Sequence, residues 1–231
     1  MAHHGRIVVC IIPVLNEEQS ITHVLRDMPP CVDHVIVVDN GSTDATAIRA
    51  TDAGAIVVHE PRRGYGSACL KGLFEARSLR PDVIVFCDGD HSDVLDDMPS
   101  VLEPVCSGSA DLCIGSRVRG EREQGSLLPQ QVFGNWLATS LIRLFWKVDF
   151  SDLGPMRAVS THALHQMSME DPNYGWTVEM QIKAARLGLR CTEVPVRYRR
   201  RIGTSKIAGT VSGTFKAGTK ILLTIARYAV D

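Results

Sequence analysis

The sequence predicts an α/β fold with a mostly parallel central sheet and helices on both faces. Strand-like and helix-like segments alternate through the first half of the 231-residue chain, as they do in βαβ units. The strand-like segments are nearly continuous runs of Val and Ile, which is typical of parallel strands covered on both faces. Polar side chains follow three of these segments directly. Because ligands of such sheets bind beyond the carboxyl ends of the strands, we expect a binding site there.

The first half of the chain is predicted to contain four strands and three helices. The strands cover residues 6–14, 33–40, 55–60 and 82–88, and the helices cover residues 17–28, 42–54 and 64–79. The first helix has apolar residues spaced along one face. Gly54 ends the second helix, and a glycine-rich turn precedes the third.

The second half of the chain is predicted to continue the same layers. A helix at residues 94–107 precedes a strand at 110–117, and the polar residues 118–128 form a loop. A helix at residues 129–146 follows, then short strands within 152–160 and 191–201 on either side of a helix at 176–188. A last amphipathic helix covers residues 207–229.

Composition limits the class of protein. The formal net charge of −1 excludes a globally basic nucleic-acid binder. The seven cysteines are scattered without a CxxC pair, which indicates buried thiols in a reducing compartment. No apolar run approaches the roughly 20 residues that a bilayer-spanning helix needs. We therefore expect a cytoplasmic protein, either soluble or peripheral on the cytoplasmic face of a membrane.

Three acids follow the fourth predicted strand, in the stretch VIVFCDGDHSD. They are Asp88, Asp90 and Asp93. A solvated turn is one interpretation, but Asp-x-Asp at a strand end also suits a divalent cation, which prefers oxygen ligands. Asp39 ends the second strand and would face the same crevice, where it could accept hydrogen bonds from a ribose or a base.

Seven motifs occur in order over nearly the whole chain: IPVLNEE, VIVVDNGSTDAT, RGYGSACLKG, FCDGDHSD, IGSR, DLGPMRAVS and RRRIGTSKI. Together they resemble the inverting glycosyltransferases of family 2, in particular the dolichol-phosphate mannose synthase and dolichol-phosphate glucose synthase group. The resemblance implies a single GT-A domain, a Rossmann-like fold, over residues 1–231. It also implies transfer of a hexose from GDP-mannose or UDP-glucose to a polyprenyl phosphate, dolichyl or undecaprenyl, with Mg²⁺ or Mn²⁺ as cofactor.

The resemblance also implies roles for individual residues. The donor nucleotide contacts Pro13, Leu15, Asn16, Glu17, Asp39, Gly64, Asp88 and Gly89. Asp88 and Asp90 handle the donor phosphates and the metal ion. Relatives usually continue the motif as Asp-Ala-Asp-Leu-Gln, with the Gln in the metal shell. Here Ser92 stands at that place, so Asp93 or a water is expected to replace the Gln as a ligand.

Basic residues are expected to bind the diphosphate and the acceptor. They are Arg117, Arg157, Arg201 and Lys206, with Ser205 as a polar neighbour. Arginine grips phosphate oxygens bidentately, and lysine acts as a point charge. The run RYRRR at residues 197–201 also fits an edge strand protected by charge. Relatives often carry arginines for the acceptor phosphate where this chain has Gln130 and Gln131, so a hydroxyl acceptor stays open.

The chemistry of the acceptor decides whether a general base is needed. A lipid phosphate is already anionic near neutral pH, whereas a hydroxyl needs a carboxylate to take its proton. Asp152 and Glu179 are the candidates, each with a structural alternative: Asp152 as a turn former and Glu179 as the partner of a basic side chain. A nucleotidyltransferase is a distant alternative, because the first strand is followed by the acidic, glycine-free PVLNEEQS.

The last predicted helix, residues 207–229, has an apolar stripe flanked by lysines and an arginine. Such a helix suits the surface of an anionic membrane. The stripe suits packing on the domain or on the second subunit of a homodimer equally well.

Overall fold

A computed structural model describes residues 4–203 and 211–230, including all side chains in these ranges except those of residues 211–215. The predictions for Ser205 and Lys206 and for the first residues of the last helix, 207–210, fall outside the described residues. The remaining predicted site residues are all described.

The described strands form one mixed sheet. They are β1 (Val8–Val14), β2 (His34–Asp39), β3 (Ile56–His59), β4 (Val83–Phe86), β5 (Leu112–Ser116), β6 (Arg157–Ser160) and β7 (Cys191–Pro195). Their order is β3-β2-β1-β4-β6-β5-β7. β6 runs antiparallel to β4 and β5, and the other pairings are parallel. The predicted mostly parallel sheet is therefore confirmed.

The described helices are α1 (Ile21–Arg26), α2 (Thr46–Asp52), α3 (Tyr65–Ala76), α4 (Met98–Cys106), α5 (Pro129–Trp146), α6 (Thr161–Met167), α7 (Trp176–Arg186) and α8 (Val211–Val230). α1, α2 and α4 cover one face of the sheet, and α3 with α5 to α8 covers the other. Within the described ranges no helix is long and apolar enough to cross a membrane.

The alternation of side chains along β1 explains why both faces are covered. Val9 and Ile11 point into the core beneath α3, whereas Val8, Cys10 and Ile12 point into the core beneath α1 and α4. All five side chains are fully buried. A continuous apolar strand thus supplies two cores at once.

The structure also corrects two predicted elements. No helix is predicted between the sixth strand and residue 176, but α6 forms there, and its N-cap Ser160 accepts a hydrogen bond from Ala163 N (3.1 Å). The predicted strand at residues 191–201 ends at Pro195. Its partner strand β5 ends at Ser116, which pairs with Pro195, and the following arginines lie in a loop.

Candidate active site

The carboxyl ends of β1, β2 and β4 bring the predicted donor-binding residues to one edge of the sheet. Val14 pairs in register with Asp39, and β4 lies on the other side of β1. Pro13 and Leu15 are half-buried at the end of β1, while Asp39 is almost completely buried. This crevice is the place where open α/β sheets bind ligands.

Asn16 joins the two loops that flank the crevice. Its backbone N–H donates to Ser42 Oγ (2.9 Å), and its side-chain Oδ1 accepts from Thr43 N (2.8 Å). The Glu17 N–H donates to Thr46 Oγ1 (2.7 Å) and strengthens the same junction. Asn16 has a φ of 55°, a left-handed conformation that asparagine tolerates better than most residues. Asn16 and Glu17 therefore hold together the two loops that flank the crevice.

Two predicted donor contacts are glycines at places with no room for a side chain. A Cβ on Gly64, whose φ is +148°, would lie 2.2 Å from the carbonyl oxygen of Pro172. A Cβ on Gly89 would lie 2.6 Å from Val14 Cγ1. Because real contacts are never this short, both positions require glycine to keep the loops at their present spacing.

The acids after β4 form a cluster in which neighbouring carboxylates repel one another. Burial, followed by the nearby Asp90 and Asp93 carboxylates, raises the pKa of Asp88 to about 8. Burial raises the pKa of Asp93 to about 7, against a hydrogen bond from the Asp88 N–H that lowers it. Asp93 Oδ1 is buried and has no hydrogen-bond partner among the described residues. A bound cation would relieve both the repulsion and the orphaned oxygen.

Asp90 already has partners within the cluster. Its Oδ1 accepts from Ser92 N (3.0 Å) and from Ser92 Oγ, and its Oδ2 pairs with Arg201 Nη1 (2.9 Å). Ser92 thus orients Asp90. Over residues 4–203 and 211–230, no three His, Cys, Asp or Glu side chains are already arranged as metal ligands. The carboxylates are close together but do not form a finished three-ligand set.

Arg117 is fixed by Asp152. Its Nε donates to Asp152 Oδ2 (2.8 Å), its Nη2 donates to Oδ1 (2.7 Å), and its backbone N–H also donates to Oδ2 (2.8 Å). Burial by itself lowers the pKa of Arg117, but the Asp152 carboxylate more than reverses this and raises it, so the guanidinium stays charged. Asp152 is fully buried. These contacts give Asp152 the role of holding an arginine.

Tyr198 connects this ion pair to the acidic cluster. The Arg117 guanidinium lies over the Tyr198 ring at 5.0 Å from its centroid. The Tyr198 hydroxyl is hydrogen-bonded to Ser92 Oγ (3.0 Å), which in turn donates to Asp90. The predicted positive and negative groups therefore belong to one continuous network.

A cavity of about 530 Å³ opens beside Asp88 and Arg117. Its polar end contains these two residues and Tyr65, whose hydroxyl donates to Asp88 Oδ1 (3.4 Å). Most of the other lining side chains come from α5, α8 and the loop after Asp152, and many are apolar: Phe133, Leu137, Leu153, Pro155, Ile221 and Leu222. We call this space the α5–α8 cavity. Gln130 and Gln131 also line it.

Two predicted site residues lie away from the acidic cluster. The Glu179 carboxylate accepts from Asp171 N (2.9 Å) and from Tyr228 Oη (3.1 Å), and it pairs with Lys183 Nζ (2.9 Å). This arrangement joins α7 to α8 and does not line the α5–α8 cavity. The contacts match the structural alternative for Glu179, a partner for a basic side chain.

Arg157 is also buried away from the cavity surface. Its guanidinium donates to the carbonyl oxygens of Leu153 (3.1 Å), Gly154 (3.1 Å) and Thr177 (3.0 Å). Burial lowers the pKa of Arg157 to about 10. The side chain therefore fastens the loop that forms one wall of the cavity.

The basic residues after β7 bind several different acids. Arg197 binds Asp97 (Nη2–Oδ1 2.8 Å), the Arg200 N–H binds Glu123 Oε2 (2.8 Å), and Arg201 binds Asp90. Arg201 alone of these three faces the acidic cluster. The other arginines tie the segment to the body of the protein.

Sequence reasoning missed Tyr65 and gave Tyr198 no role. Tyr65 lies within the quoted motif RGYGSACLKG, so its place beside the glycine turn was a usable signal. Tyr198 lies inside RYRRR, where the charges obscured it. Tyr174 also lines the α5–α8 cavity, whereas Trp176 is buried in the core.

Comparisons with known proteins point to one family. A family model described as "Glycosyl transferase family 2" matches residues 9–166. An uncharacterised glycosyltransferase of Mycobacterium tuberculosis (strain H37Rv) is 34% identical over 216 residues, 92% of this chain and 95% of the relative. The undecaprenyl-phosphate mannosyltransferase of Micrococcus luteus is 31% identical over 220 residues, 89% of each chain.

Solved structures of glucosyl-3-phosphoglycerate synthase from Mycobacterium tuberculosis are similar in fold. Its complex with UDP has a TM-score of 0.76 and 25% identity, covering 98% of this chain and 81% of that chain. Its complex with Mn²⁺, UDP and phosphoglyceric acid has a TM-score of 0.76 and 24% identity, covering 97% and 79%. The predicted GT-A fold is thereby confirmed.

Proposed function

Because the chain belongs to glycosyl transferase family 2 and is a glycosyltransferase with the GT-A fold, we propose that it transfers a hexose to a polyprenyl phosphate. The donor is a nucleotide-diphosphate sugar, GDP-mannose or UDP-glucose. The transfer inverts the anomeric carbon. The acceptor is an undecaprenyl or dolichyl phosphate.

The α5–α8 cavity carries this proposal. It is polar where Asp88 and Arg117 meet it and mostly apolar along α5 and α8. An anionic head with a long hydrocarbon tail matches both parts. Phe133 and Leu222 line the cavity and are also 60% and 40% exposed, so the apolar wall continues to the surface. The similarity to a relative named undecaprenyl-phosphate mannosyltransferase supports the same acceptor class.

The donor is assigned to the crevice at the ends of β1, β2 and β4. Asp39, the loops joined by Asn16, and the close-packed Gly64 and Gly89 would hold the nucleotide. Asp88, Asp90 and Asp93 would hold Mg²⁺ or Mn²⁺, since their crowding and the orphaned Asp93 oxygen suit a cation. The solved neighbour was crystallised with Mn²⁺ and UDP. Such an ion, when bound, neutralises the diphosphate and makes it a better leaving group.

The reaction then needs little proton transfer. An oxygen of the acceptor phosphate forms the bond to the anomeric carbon while the bond from that carbon to the diphosphate breaks. Arg117, held rigid by Asp152, faces the acceptor phosphate from the polar end of the cavity, and Arg201 adds positive charge beside Asp90. Preorganised charges of this kind stabilise a transition state without reorganisation.

The fate of the candidate bases favours a phosphate acceptor over a hydroxyl. Both oxygens of Asp152 are bound to Arg117, and Glu179 lies outside the α5–α8 cavity. Asp88 is the one carboxylate of the described residues that lines this cavity. A hydroxyl acceptor would need a carboxylate that is free to take its proton, and neither Asp152 nor Glu179 is free in the cavity. A hydroxyl acceptor is therefore the second candidate. The observation that supports a hydroxyl acceptor is that Gln130 and Gln131 line the cavity, where hydroxyl groups would find hydrogen-bond partners.

A two-phase transfer assay tests the proposal. The protein is incubated with radiolabelled UDP-glucose or GDP-mannose, Mn²⁺, and either undecaprenyl phosphate or undecaprenol, which lacks only the phosphate. We expect label in the organic phase with the phosphate and background with the alcohol. Transfer to undecaprenol or to a soluble hydroxyl acceptor, with none to the lipid phosphate, would overturn the acceptor assignment.

Peripheral membrane contact is the second part of this proposal. Leu222 of the predicted apolar stripe and its neighbour Leu223 are exposed, but the larger exposed apolar surface lies on α5, at Phe133, Trp136 and Leu144. Arg143 on α5 is also exposed. Aromatic side chains with cations beside them suit the interface of an anionic membrane. A lipid phosphate would reach the cavity mouth directly from such a surface.

A further inference from the structure

A buried glutamate on the edge strand β7 lies behind the Arg117–Asp152 pair, and no function has been given to it above. The Glu193 side chain is only 6% exposed. Alternation along β7 places it on the same face of the sheet as Cys191, which packs against the core on the α3 and α5 side. Its ion pair among the described residues is a long one, with Arg119 Nη1 at 3.8 Å. Because carboxylates are rarely buried without close partners, its hydrogen bonds are informative.

Glu193 binds the segment that carries Asp152. Its Oε1 accepts from the backbone N–H groups of Ser151 (2.9 Å) and Asp152 (3.2 Å), and its Oε2 accepts from Ser151 Oγ (2.7 Å). Because one carboxylate binds two consecutive N–H groups, it fixes the backbone from which the Asp152 side chain extends to Arg117.

Two side-chain amides bind the remaining backbone groups of the same segment. Gln181 Nε2 donates to the Asp152 carbonyl oxygen (3.0 Å). Asn135 Nδ2 donates to the Ser151 carbonyl oxygen (2.9 Å), and its Oδ1 accepts from Leu153 N (2.8 Å). From Ser151 N to Leu153 N, every backbone N–H and carbonyl group is therefore bound by a side chain of α5, α7 or β7.

A second connection joins Glu193 to the strand end that carries Arg117. Ser116, the residue before Arg117, is fully buried, and its Oγ lies 2.7 Å from Ser151 Oγ. Since the Ser151 hydroxyl donates its proton to Glu193, the Ser116 hydroxyl donates to Ser151. The residues immediately before both members of the ion pair are thus linked through one carboxylate.

Gln181 is placed at a cost in stability. It is fully buried, and its Oε1 has no hydrogen-bond partner among the described residues. Burying an amide oxygen without a partner costs free energy that an apolar side chain would not lose. A buried amide of this kind that binds the Asp152 carbonyl fits a residue that serves geometry rather than stability.

We propose that Glu193 and Gln181 are positioning residues for the acceptor phosphate: by fixing the backbone of Asp152, they set the direction of the Arg117 guanidinium. Neither is among the described residues that line the α5–α8 cavity, so they act through Arg117. The inference rests on the proposed function, in which Arg117 faces the acceptor phosphate. A binding group with fixed supporting residues keeps its orientation when the ligand arrives.

Steady-state kinetics of Glu193→Ala and Gln181→Leu test the inference, with undecaprenyl phosphate and the nucleotide sugar that the unmodified protein uses varied in turn. We expect the KM for the lipid phosphate to rise about tenfold, the lower end of what a hydrogen bond to a charged group contributes. The KM for the nucleotide sugar should stay unchanged. An unchanged KM for the lipid phosphate, or an equal rise in both, would overturn the inference.

The matched control is Asp111→Ala. It removes a carboxylate that accepts the Arg190 N–H (2.9 Å) at the opposite end of β5 and β7, and it should change neither KM. Gln181→Leu exchanges a buried amide for an apolar side chain of similar size, so it tests the inference even where Glu193→Ala fails to fold.

Glu193→Gln separates position from charge. The glutamine keeps an acceptor for the two N–H groups and a donor for the Ser151 hydroxyl, so the KM for the lipid phosphate should stay near the original value. A rise equal to that of Glu193→Ala would mean that Glu193 acts through its charge, and would overturn the inference.

Dependence on Arg117 distinguishes a positioning role from a general structural one. In the Arg117→Ala background, Glu193→Ala and Gln181→Leu should cause no further fall in kcat/KM, because the guanidinium that they orient is gone. A further tenfold fall would overturn the inference and leave the proposed function intact. No transfer to undecaprenyl phosphate by the unmodified protein would instead overturn the proposed function, and the inference with it.

Discussion

Arg117 and Asp152 form a bidentate ion pair in which the acid is fully buried and the arginine borders the α5–α8 cavity. The two residues are 35 positions apart and meet because β5 and the loop before β6 end at the same edge of the sheet. A guanidinium held in this way cannot reorient with the solvent, so its direction is fixed. The pair therefore supplies a preorganised positive charge where the acceptor phosphate is proposed to bind.

The variant Asp152→Asn separates a positioning role from a basic one. We expect kcat/KM to fall about hundredfold, close to the effect of Arg117→Ala, because both changes lose the same oriented charge. The double variant should be little worse than either single one, since the two residues act as a unit. Steady-state rates with the lipid phosphate measure this.

The matched control is Asp111→Asn, which breaks a similar bidentate pair with Arg190 at the surface and should leave the rate unchanged. The pH–rate profile of Asp152→Asn should keep the shape of the original. Loss of an ionisation from that profile would instead identify Asp152 as a general base.

The variant Asp88→Asn should be less active and more stable than the original protein. It removes a carboxyl that, without a cation, must take up a proton or bury its charge on folding, because its pKa is raised to about 8. The free energy of unfolding near neutral pH with a chelator present should therefore rise by about 1 kcal/mol. Metal-dependent nucleotide binding should be lost. Thermal melts with and without Mn²⁺ and UDP measure both effects, and a less stable variant without metal would contradict the account of the cluster.

The variant Arg157→Lys should affect folding rather than phosphate binding. Lysine cannot reach three carbonyl groups at once, and the loss should lower the free energy of unfolding by about 2–3 kcal/mol. The KM of the remaining folded enzyme for the lipid phosphate should be unchanged. Denaturant titration and steady-state kinetics test the two parts. A raised KM with unchanged stability would return Arg157 to the acceptor site.

The exposed aromatic face of α5 should bind anionic vesicles. Trp136→Asp is expected to weaken co-sedimentation with phosphatidylglycerol vesicles about tenfold, since burying such a side chain is worth about 1.5–3 kcal/mol. Phe74→Asp is the matched control, because Phe74 is 59% exposed but lies on α3. Equal loss in both variants would mean that binding is not specific to α5.

The sequence was sufficient for the framework and for the acidic cluster. Continuous apolar strands with polar ends are local features, so β1, β2 and β4 and the position of Asp88 followed from them. The contacts of Asp152, Arg157 and Glu179 did not, because each depends on a partner brought close only by folding. The arginines of residues 197–201 illustrate the same limit, since Arg197 and Arg201 look alike in sequence and bind Asp97 and Asp90.

The most direct measurement is a crystal structure of the protein with farnesyl phosphate and a nucleoside diphosphate bound together with Mg²⁺. The account predicts the nucleotide phosphates at Asp88 and Asp90, the farnesyl phosphate group within hydrogen-bonding distance of Arg117, and the hydrocarbon between α5 and α8. A lipid phosphate bound away from Arg117, with the α5–α8 cavity filled by solvent, would contradict it.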